Sequence, residues 1–231
     1  MYNFNYSSAP NCNIDNNSIK NNINNYIKNI LVPKHFKGRE FSYLINKWQQ
    51  EFLDDLENYC SQTYSNYKFY FWCALYSKKE IAFNSSSRTH FYSETDVKIS
   101  LYIETENIGI DIGGMCVKHL NLSHKSSIND YKTEIRNKIE YIINKILEGR
   151  KISLGSSEGT KYINYILEDT LEFLKSKDKF PYYYVVGTIF YKNVNYSICE
   201  RYFKQTSNYG TVFFNYQNNS IHCNVHVFSC I

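Results

Sequence analysis

The sequence predicts an α+β fold made of two tandem copies of one module, each with two helices followed by a four-stranded antiparallel meander. The same order of helical and strand patterns occurs over 15–117 and 128–231 in a chain of 231 residues. An aromatic strand block at 69–76 aligns with a second block at 184–191, at an offset of 115 residues. Such self-similarity indicates that a module was doubled within one polypeptide. We therefore expect the copies, joined by a linker at 118–127, to form an intramolecular pseudo-dimer, preceded by a disordered tail at 1–14.

Composition and charge argue against several classes of protein. The net charge of +4 is small and the lysines are scattered, so no basic stripe predicts nucleic-acid binding. No apolar run approaches the roughly 18 residues of a membrane-spanning helix, and the first residues lack the apolar segment of a signal peptide. Seven cysteines, without a Cys-x-x-Cys pair, fall mostly within apolar strand patterns. They predict free, buried thiols in a reducing cytosol.

Each element of the first copy follows from its apolar spacing. Isoleucines recur at helical intervals over 15–31, and Pro33 is expected to end that helix. A wider apolar stripe predicts a second helix at 40–60, comprising Phe41, Leu44, Ile45, Trp48, Phe52, Leu56 and Tyr59. Period-two patterns then predict strands at 68–76, 96–104 and 108–116, and a second strand that begins with 81–84 and is weakened by the serines at 85–87.

The second copy repeats this order. Helices are predicted at 129–148, where Gly149 supplies the stop, and at 160–175. Strands are predicted at 182–192, 196–203, 210–217 and 220–228. In the last strand Ile221, Cys223, Val225 and Val227 share one face, while His222, Asn224 and His226 share the other.

The second half resembles the Tctex-type dynein light chain family. The resemblance lies in the aromatic and β-branched run at 180–186 with the turn at 189–193, in the helix segment Leu-Glu-Asp-Thr-Leu at 167–171, and in the closing hairpin at 210–228. It covers about 128–231, which is the length of a whole family member. The first half is similar more loosely: Ile-Asn-Lys-Trp at 45–48 looks like the start of the second helix, but Gly113 and Gly114 replace a late Val-Phe.

The resemblance implies a way of binding. Family members are homodimers in which one strand of each subunit joins the partner's sheet, and a strand of the dynein intermediate chain docks in each of two grooves by adding to a sheet edge. A tandem copy makes that dimer intramolecular, so a monomeric pseudo-dimer is expected. The exchanged second strands are the predicted peptide-binding elements: Ile81, Ala82 and Phe83 in the first copy, and Tyr196, Ser197, Ile198, Cys199, Glu200, Arg201 and Tyr202 in the second.

The two grooves are not expected to bind equally. The first-copy strand is rich in serine and poor in large apolar residues, whereas the second carries Ile198 and Cys199. We therefore predict tighter binding along the second.

Other readings of the chemistry are weaker. His222 and His226 lie roughly 13 Å apart if both are on one strand, too far to share a metal ion, and are interpreted as two exposed sheet histidines. No local signature surrounds a Cys–His pair, and the glycine-rich segment 109–114 lacks the Lys-Ser/Thr of a phosphate loop. Glu51, Asp54 and Asp55 fit a solvated helix face. The sequence thus predicts no catalytic residue, metal or cofactor.

Two functions follow from these expectations. The first is a non-catalytic dynein light chain in the cytoplasm and on microtubules, with the dynein intermediate chain, other dynein light chains and cargo proteins as partners. The alternative is a motor-independent adaptor of the same fold that binds extended peptides. The sequence leaves both open. It also leaves open whether the motor is cytoplasmic or axonemal, what the cargo is, whether the strands swap between the two halves, and whether both grooves bind.

Overall fold

The computed structural model describes residues 14–78, 83–91, 96–118, 128–150, 152, 157–177, 182–191, 194–202 and 209–230. The first half contains α1 (Ile14–Tyr26), a π-helical turn (Ile27–Leu31), α2 (Val32–Phe36), α3 (Ile45–Thr63), β1 (Tyr67–Ser77), β2 (Phe83–His90), β3 (Val97–Glu104) and β4 (Ile108–Lys118). The second contains a 3-10 turn (Ile128–Tyr131), α4 (Lys132–Leu147), α5 (Ser157–Ser176), β5 (Tyr182–Tyr191), β6 (Tyr196–Tyr202), β7 (Tyr209–Gln217) and β8 (Ile221–Cys230). The α+β class is confirmed, with two antiparallel four-stranded sheets.

The strands of each half do not form the meander that the sequence predicted. The first sheet has the order β3-β4-β1-β6 and the second has the order β2-β5-β8-β7. Each sheet therefore takes three strands from one half of the chain and its fourth from the other half. Local turns favour hairpins within a half, but β2 and β6 instead pair with the first strand of the opposite half. This exchange is the arrangement that the family resemblance implied.

The two sheets pack face to face, with helices on both outer faces. On β1, Phe69, Phe71 and Cys73 point into a core with α1–α3, while Tyr70 and Trp72 point to the second sheet. An equivalent helical core lies between the second sheet and the helices α4 and α5. The inter-sheet layer consists of Tyr70, Trp72, Ala74, Met115, Val117, Tyr182, Tyr184, Val186 and Phe228. Burial on both faces explains why β1 reads as a continuous aromatic run.

The register of the inter-sheet layer corrects the alignment of the two halves. At the predicted offset of 115, Phe69 would correspond to Tyr184, yet Phe69 faces the helices and Tyr184 faces the other sheet. An offset of 114, which superimposes Tyr70 on Tyr184, puts corresponding residues on the same face. The error arose because two aromatic runs align equally well at either offset, while a one-residue shift inverts every side chain of a strand.

One local expectation about the helices was also wrong. Pro33 does not end the first helix, which continues to Phe36. A π-helical turn precedes it, in which the Val32 N–H bonds to the Ile27 carbonyl, and we infer that this wider turn accommodates the proline ring. Ser85, Ser86 and Ser87, which were expected to weaken the second strand, lie within β2. The predicted stop at Gly149 is confirmed by its φ of 70° after α4.

The inter-sheet layer depends on a glycine. A Cβ atom built on Gly113 would overlap the Tyr184 hydroxyl, with the ring Cζ at 3.1 Å. We predict that Gly113→Ala lowers the free energy of unfolding by about 2 to 3 kcal/mol, because overpacking of a core has costs in this range. Tyr184→Phe removes the overlapping oxygen, so the cost of Gly113→Ala should shrink in that background. Urea unfolding of the two single variants and the double variant measures this coupling, and strictly additive effects would contradict it.

Candidate functional site

The structure places seven of the ten predicted binding residues on one strand. Residues 196–202 form β6, which pairs with β1 at one end of the first sheet. Phe83 begins β2, which occupies the corresponding end of the second sheet. Ile81 and Ala82 lie outside the described residues. Both exchanged strands are thus edge strands. The β6 edge is the backbone of 196–202 on the side away from β1, and the β2 edge is the backbone of 83–90 on the side away from β5.

The β6 edge presents backbone groups for pairing. The Ser77 N–H donates to the Asn195 carbonyl at 3.1 Å, which marks these two residues as a hydrogen-bonded pair. Such pairs alternate along an antiparallel ladder, so Ile198 and Glu200 direct their N–H and C=O groups away from β1. No described strand pairs with them on that side. This geometry suits the addition of an extended segment.

Helix α3 fixes β6 from the outer face of the first sheet. Gln49, fully buried, donates its amide hydrogens to the carbonyls of Cys73 at 2.7 Å and Ser197 at 3.2 Å. The Ser197 hydroxyl lies 2.5 Å from both Asn46 Oδ1 and Gln49 Oε1, so its one hydrogen can be donated to either amide oxygen. These bonds connect the two halves of the chain across the exchanged strand. The sequence interpretation missed Gln49 because it is polar, although its spacing of four residues from both Ile45 and Leu53 places it on the buried face.

Helix α5 holds β2 by a ladder of polar contacts. Bonds run from Asn84 to Thr160 at 3.0 Å, from Ser86 to Asn164 at 2.6 Å, and from Arg88 to Glu168 at 2.7 Å. Two residues of a strand advance about 6.6 Å and four residues of a helix about 6 Å, so alternate strand residues meet every fourth helix residue. The polar residues of β2 therefore fix its position on α5.

The β2 edge is capped, in contrast to the β6 edge. The Ser87 carbonyl accepts hydrogen bonds from Lys98 Nζ on β3 at 2.9 Å and from Arg88 Nη1 at 3.2 Å. The corresponding residue on β6 is Glu200, because Ser87 pairs with Val186 as Glu200 pairs with Trp72. The Glu200 carbonyl contacts the Cys199 thiol at 3.9 Å, and an incoming N–H can displace so weak a bond.

The histidines of β8 are not exposed as predicted. His226 is 8% exposed, and its Nδ1 contacts the Glu200 carboxylate of β6. His222 is half-buried and stacks on Phe190 with ring centroids 5.4 Å apart. The alternation of β8 was read correctly, but its polar face is covered by the first sheet rather than by water. The sequence of one strand does not tell whether its polar face is exposed to water or covered by polar residues of another strand.

A second carboxylate lies between the sheets near β2. Asp111 on β4 is 8% exposed and accepts a hydrogen bond from the Ser85 hydroxyl. Burial raises the pKa of Asp111 to about 6, and the bond from Ser85 acts in the opposite direction. A small cavity of about 30 Å³ adjoins this pair, room for roughly two water molecules. It is lined by Trp72, Ser85–Arg88, Ser100, Asp111, Gly113, Thr160, Asn164, Tyr184 and Val186.

Comparison with known proteins finds no family model and no curated protein that matches this chain. None of the described helices is long and apolar enough to cross a membrane.

The buried Asp111 predicts a pH effect on stability. Because its pKa is about 6 in the folded chain and near 4 in an unfolded one, the folded state binds the proton more tightly. Its contribution to stability is present at low pH and is lost as the pH rises through 6. Asp111→Asn should therefore become more stable relative to the natural chain between pH 4 and pH 7, by on the order of 2 to 3 kcal/mol. Urea unfolding across this range measures the difference.

The exposed Asp169 on α5 provides a matched control. Asp169→Asn removes a carboxylate of the same kind from an exposed position, so it controls for the loss of one negative charge. Parallel profiles for Asp111→Asn and the natural chain would mean that Asp111 has no raised pKa.

Proposed function

We propose that this chain is a non-catalytic peptide-binding protein of the Tctex-type dynein light chain family. In this proposal a segment of the dynein intermediate chain adds as a strand to the β6 edge. The observation that carries it is an edge strand whose backbone groups at Ile198 and Glu200 point outward while its remaining sides are held by β1, α3 and the second sheet. Backbone bonds provide affinity in such complexes, and alternate side chains provide selectivity.

The proposal includes an intramolecular pseudo-dimer. Two contacts at corresponding places support it: Ser197 bonds to Asn46 on α3, as Asn84 bonds to Thr160 on α5. Each contact joins an exchanged strand of one half to the second long helix of the other. A covalent link between the copies replaces association of two chains by an effective concentration on the order of millimolar.

This arrangement predicts a monomer in solution. Each sheet already contains the strand that a homodimeric family member would receive from its partner, so a second copy of the chain is not needed to complete either sheet. Sedimentation equilibrium of the full chain at micromolar concentration should give a mass near 27.4 kDa. An obligate dimer would contradict the pseudo-dimer.

The β6 edge is proposed as the tighter of the two grooves. On β2 an incoming peptide must displace Lys98 from the Ser87 carbonyl. Burial, with Arg88 and Lys20 nearby, lowers the pKa of Lys98 to about 8, so this cation is partly desolvated where it sits. No comparable side chain caps the Glu200 carbonyl among the described residues.

The proposed partners are the dynein intermediate chain, other dynein light chains and cargo, which would place the protein on microtubules in the cytoplasm or the axoneme. The second candidate is a motor-independent adaptor of the same fold. It is favoured by the nature of the β6 edge, because outward backbone groups pair with any extended segment that the flanking surfaces admit.

Capture of partners from the protein's own cells tests both candidates. Tagged full chain, Ile198→Ala and Ile198→Pro are used as bait, and bound proteins are identified by mass spectrometry. The Ile198 N–H points away from β1, so proline there blocks an added strand while leaving the ladder to β1 in place. Ile198→Ala removes the same side chain and keeps the N–H. Dynein intermediate and heavy chains should be recovered with the natural chain and Ile198→Ala, at least tenfold more than with Ile198→Pro.

The outcomes separate the candidates. Recovery of other proteins without motor chains, but with the same loss in Ile198→Pro, would replace the dynein proposal by the adaptor. Equal recovery by Ile198→Ala and Ile198→Pro would exclude strand addition at β6. Ser87→Pro, which alters the capped edge of β2, should reduce recovery less than twofold if β6 is the tighter groove.

A further inference from the structure

An exposed aromatic side chain lies beside the β6 edge. Phe213 on β7 is 45% exposed, one of the few large apolar side chains with that much exposure among the described residues. It pairs in register with His226 on β8, and the two rings lie 4.4 Å apart. His226 in turn contacts Glu200 on β6. Phe213 therefore lies on the inter-sheet face of β7. This is the edge strand next to β8, whose His226 is covered by β6.

The position of β7 relative to β6 has a counterpart at the other end of the molecule. There Lys98 of β3 reaches across to the outer carbonyl of β2 at Ser87, which shows that the edge strand of one sheet lies opposite the outer edge of the exchanged strand in the other. The residue of β3 that corresponds to Phe213 is Ser100. Ser100 pairs with Gly113 opposite Trp72, as Phe213 pairs with His226 opposite Val186.

Three corresponding positions thus carry large side chains along β6 and small residues along β2. Glu200, His226 and Phe213 flank the β6 edge, whereas Ser87, Gly113 and Ser100 flank the β2 edge and border the cavity next to Asp111. Of the two corresponding positions Phe213 and Ser100, only the one beside β6 carries an aromatic ring.

We propose that Phe213 is the specificity-determining residue of the β6 groove and that it selects an extended partner with an apolar side chain facing the second sheet. This inference rests on the proposed strand addition at β6. Side chains of an added strand alternate between faces, and one that lies beside Glu200 on the inter-sheet face meets the Phe213 ring. The ring continues the inter-sheet interface outward through His226, so an apolar side chain there extends a surface that is already packed.

The side chain that Phe213 selects is expected to be apolar rather than cationic. The Glu200 carboxylate is 19% exposed and already bonded to His226, so it is committed within the interface. Burial of the exposed part of a phenylalanine ring against an aliphatic or aromatic side chain is favourable without any charge.

Selection from a library of random peptides tests the inference. The baits are the natural full chain, Phe213→Ser, Ile198→Pro and Tyr141→Ser; the last removes an aromatic residue of 59% exposure on α4, away from the groove. The natural chain and Tyr141→Ser should select peptides with Phe, Tyr, Trp, Leu, Ile or Met at one fixed position. Phe213→Ser should still bind peptides but lose that preference, and a selected peptide should bind it about 5- to 10-fold more weakly, the effect of losing roughly 1 kcal/mol of apolar burial.

The controls distinguish failure of this inference from failure of the proposed function. If Phe213→Ser selects the same residues at the same position with unchanged affinity, Phe213 does not set specificity, while binding at β6 stands. Selection of Lys or Arg at the fixed position would also overturn the inference. If the natural chain selects no peptide, or if Ile198→Pro selects the same peptides, strand addition at β6 fails and the inference fails with it.

Discussion

The exchange of β2 and β6 between the sheets is the constraint on which the rest of the structure depends. Neither half of the chain can complete a four-stranded sheet from its own strands in this arrangement. The fourth strand of each sheet pairs with the central aromatic strand of the other half, and the polar bonds of Gln49 and Arg88 then fix it against a helix of that other half. Folding of one half therefore requires contacts that are distant in sequence, with the entropic cost of closing long loops.

The exchange also determines what each strand edge can do. β6 is held on one edge by β1, on one face by α3 and on the other by His226, so only its outer edge is available for pairing. Because three sides are fixed before any partner arrives, binding need not order the strand, and preorganisation of this kind increases affinity. The β2 edge is less available for pairing, because Lys98 already donates a hydrogen bond to the Ser87 carbonyl.

Much of the fold could be predicted from the sequence, because helical and strand periodicity are local properties. The stripe of α3 and the alternation of β3 and β8 gave elements close to those observed. The exchange of strands could not be derived from periodicity, since β2 has the same pattern whichever sheet it joins. Its serines were expected to weaken it because the partners of its polar residues are distant: Asn84 bonds to Thr160 and Ser86 to Asn164, each more than 70 residues away. His226 was placed on the correct face of its strand, but its burial depends on Glu200 in the other sheet.

For the candidate site, the resemblance supplied the strand and the strand compositions predicted unequal grooves, but neither identified the residues that make the two grooves chemically different. That difference arises from residues on neighbouring strands, and it has a second physical consequence. An unpaired strand edge is a risk for uncontrolled association, and an inward-pointing lysine is a common protection. Lys98 provides that protection at β2, even though burial beside Arg88 disfavours its charge. At β6 the edge lacks such a cap among the described residues and instead adjoins a half-exposed Phe213. One protected edge and one open edge agree with the proposed function, in which the β6 edge binds a partner.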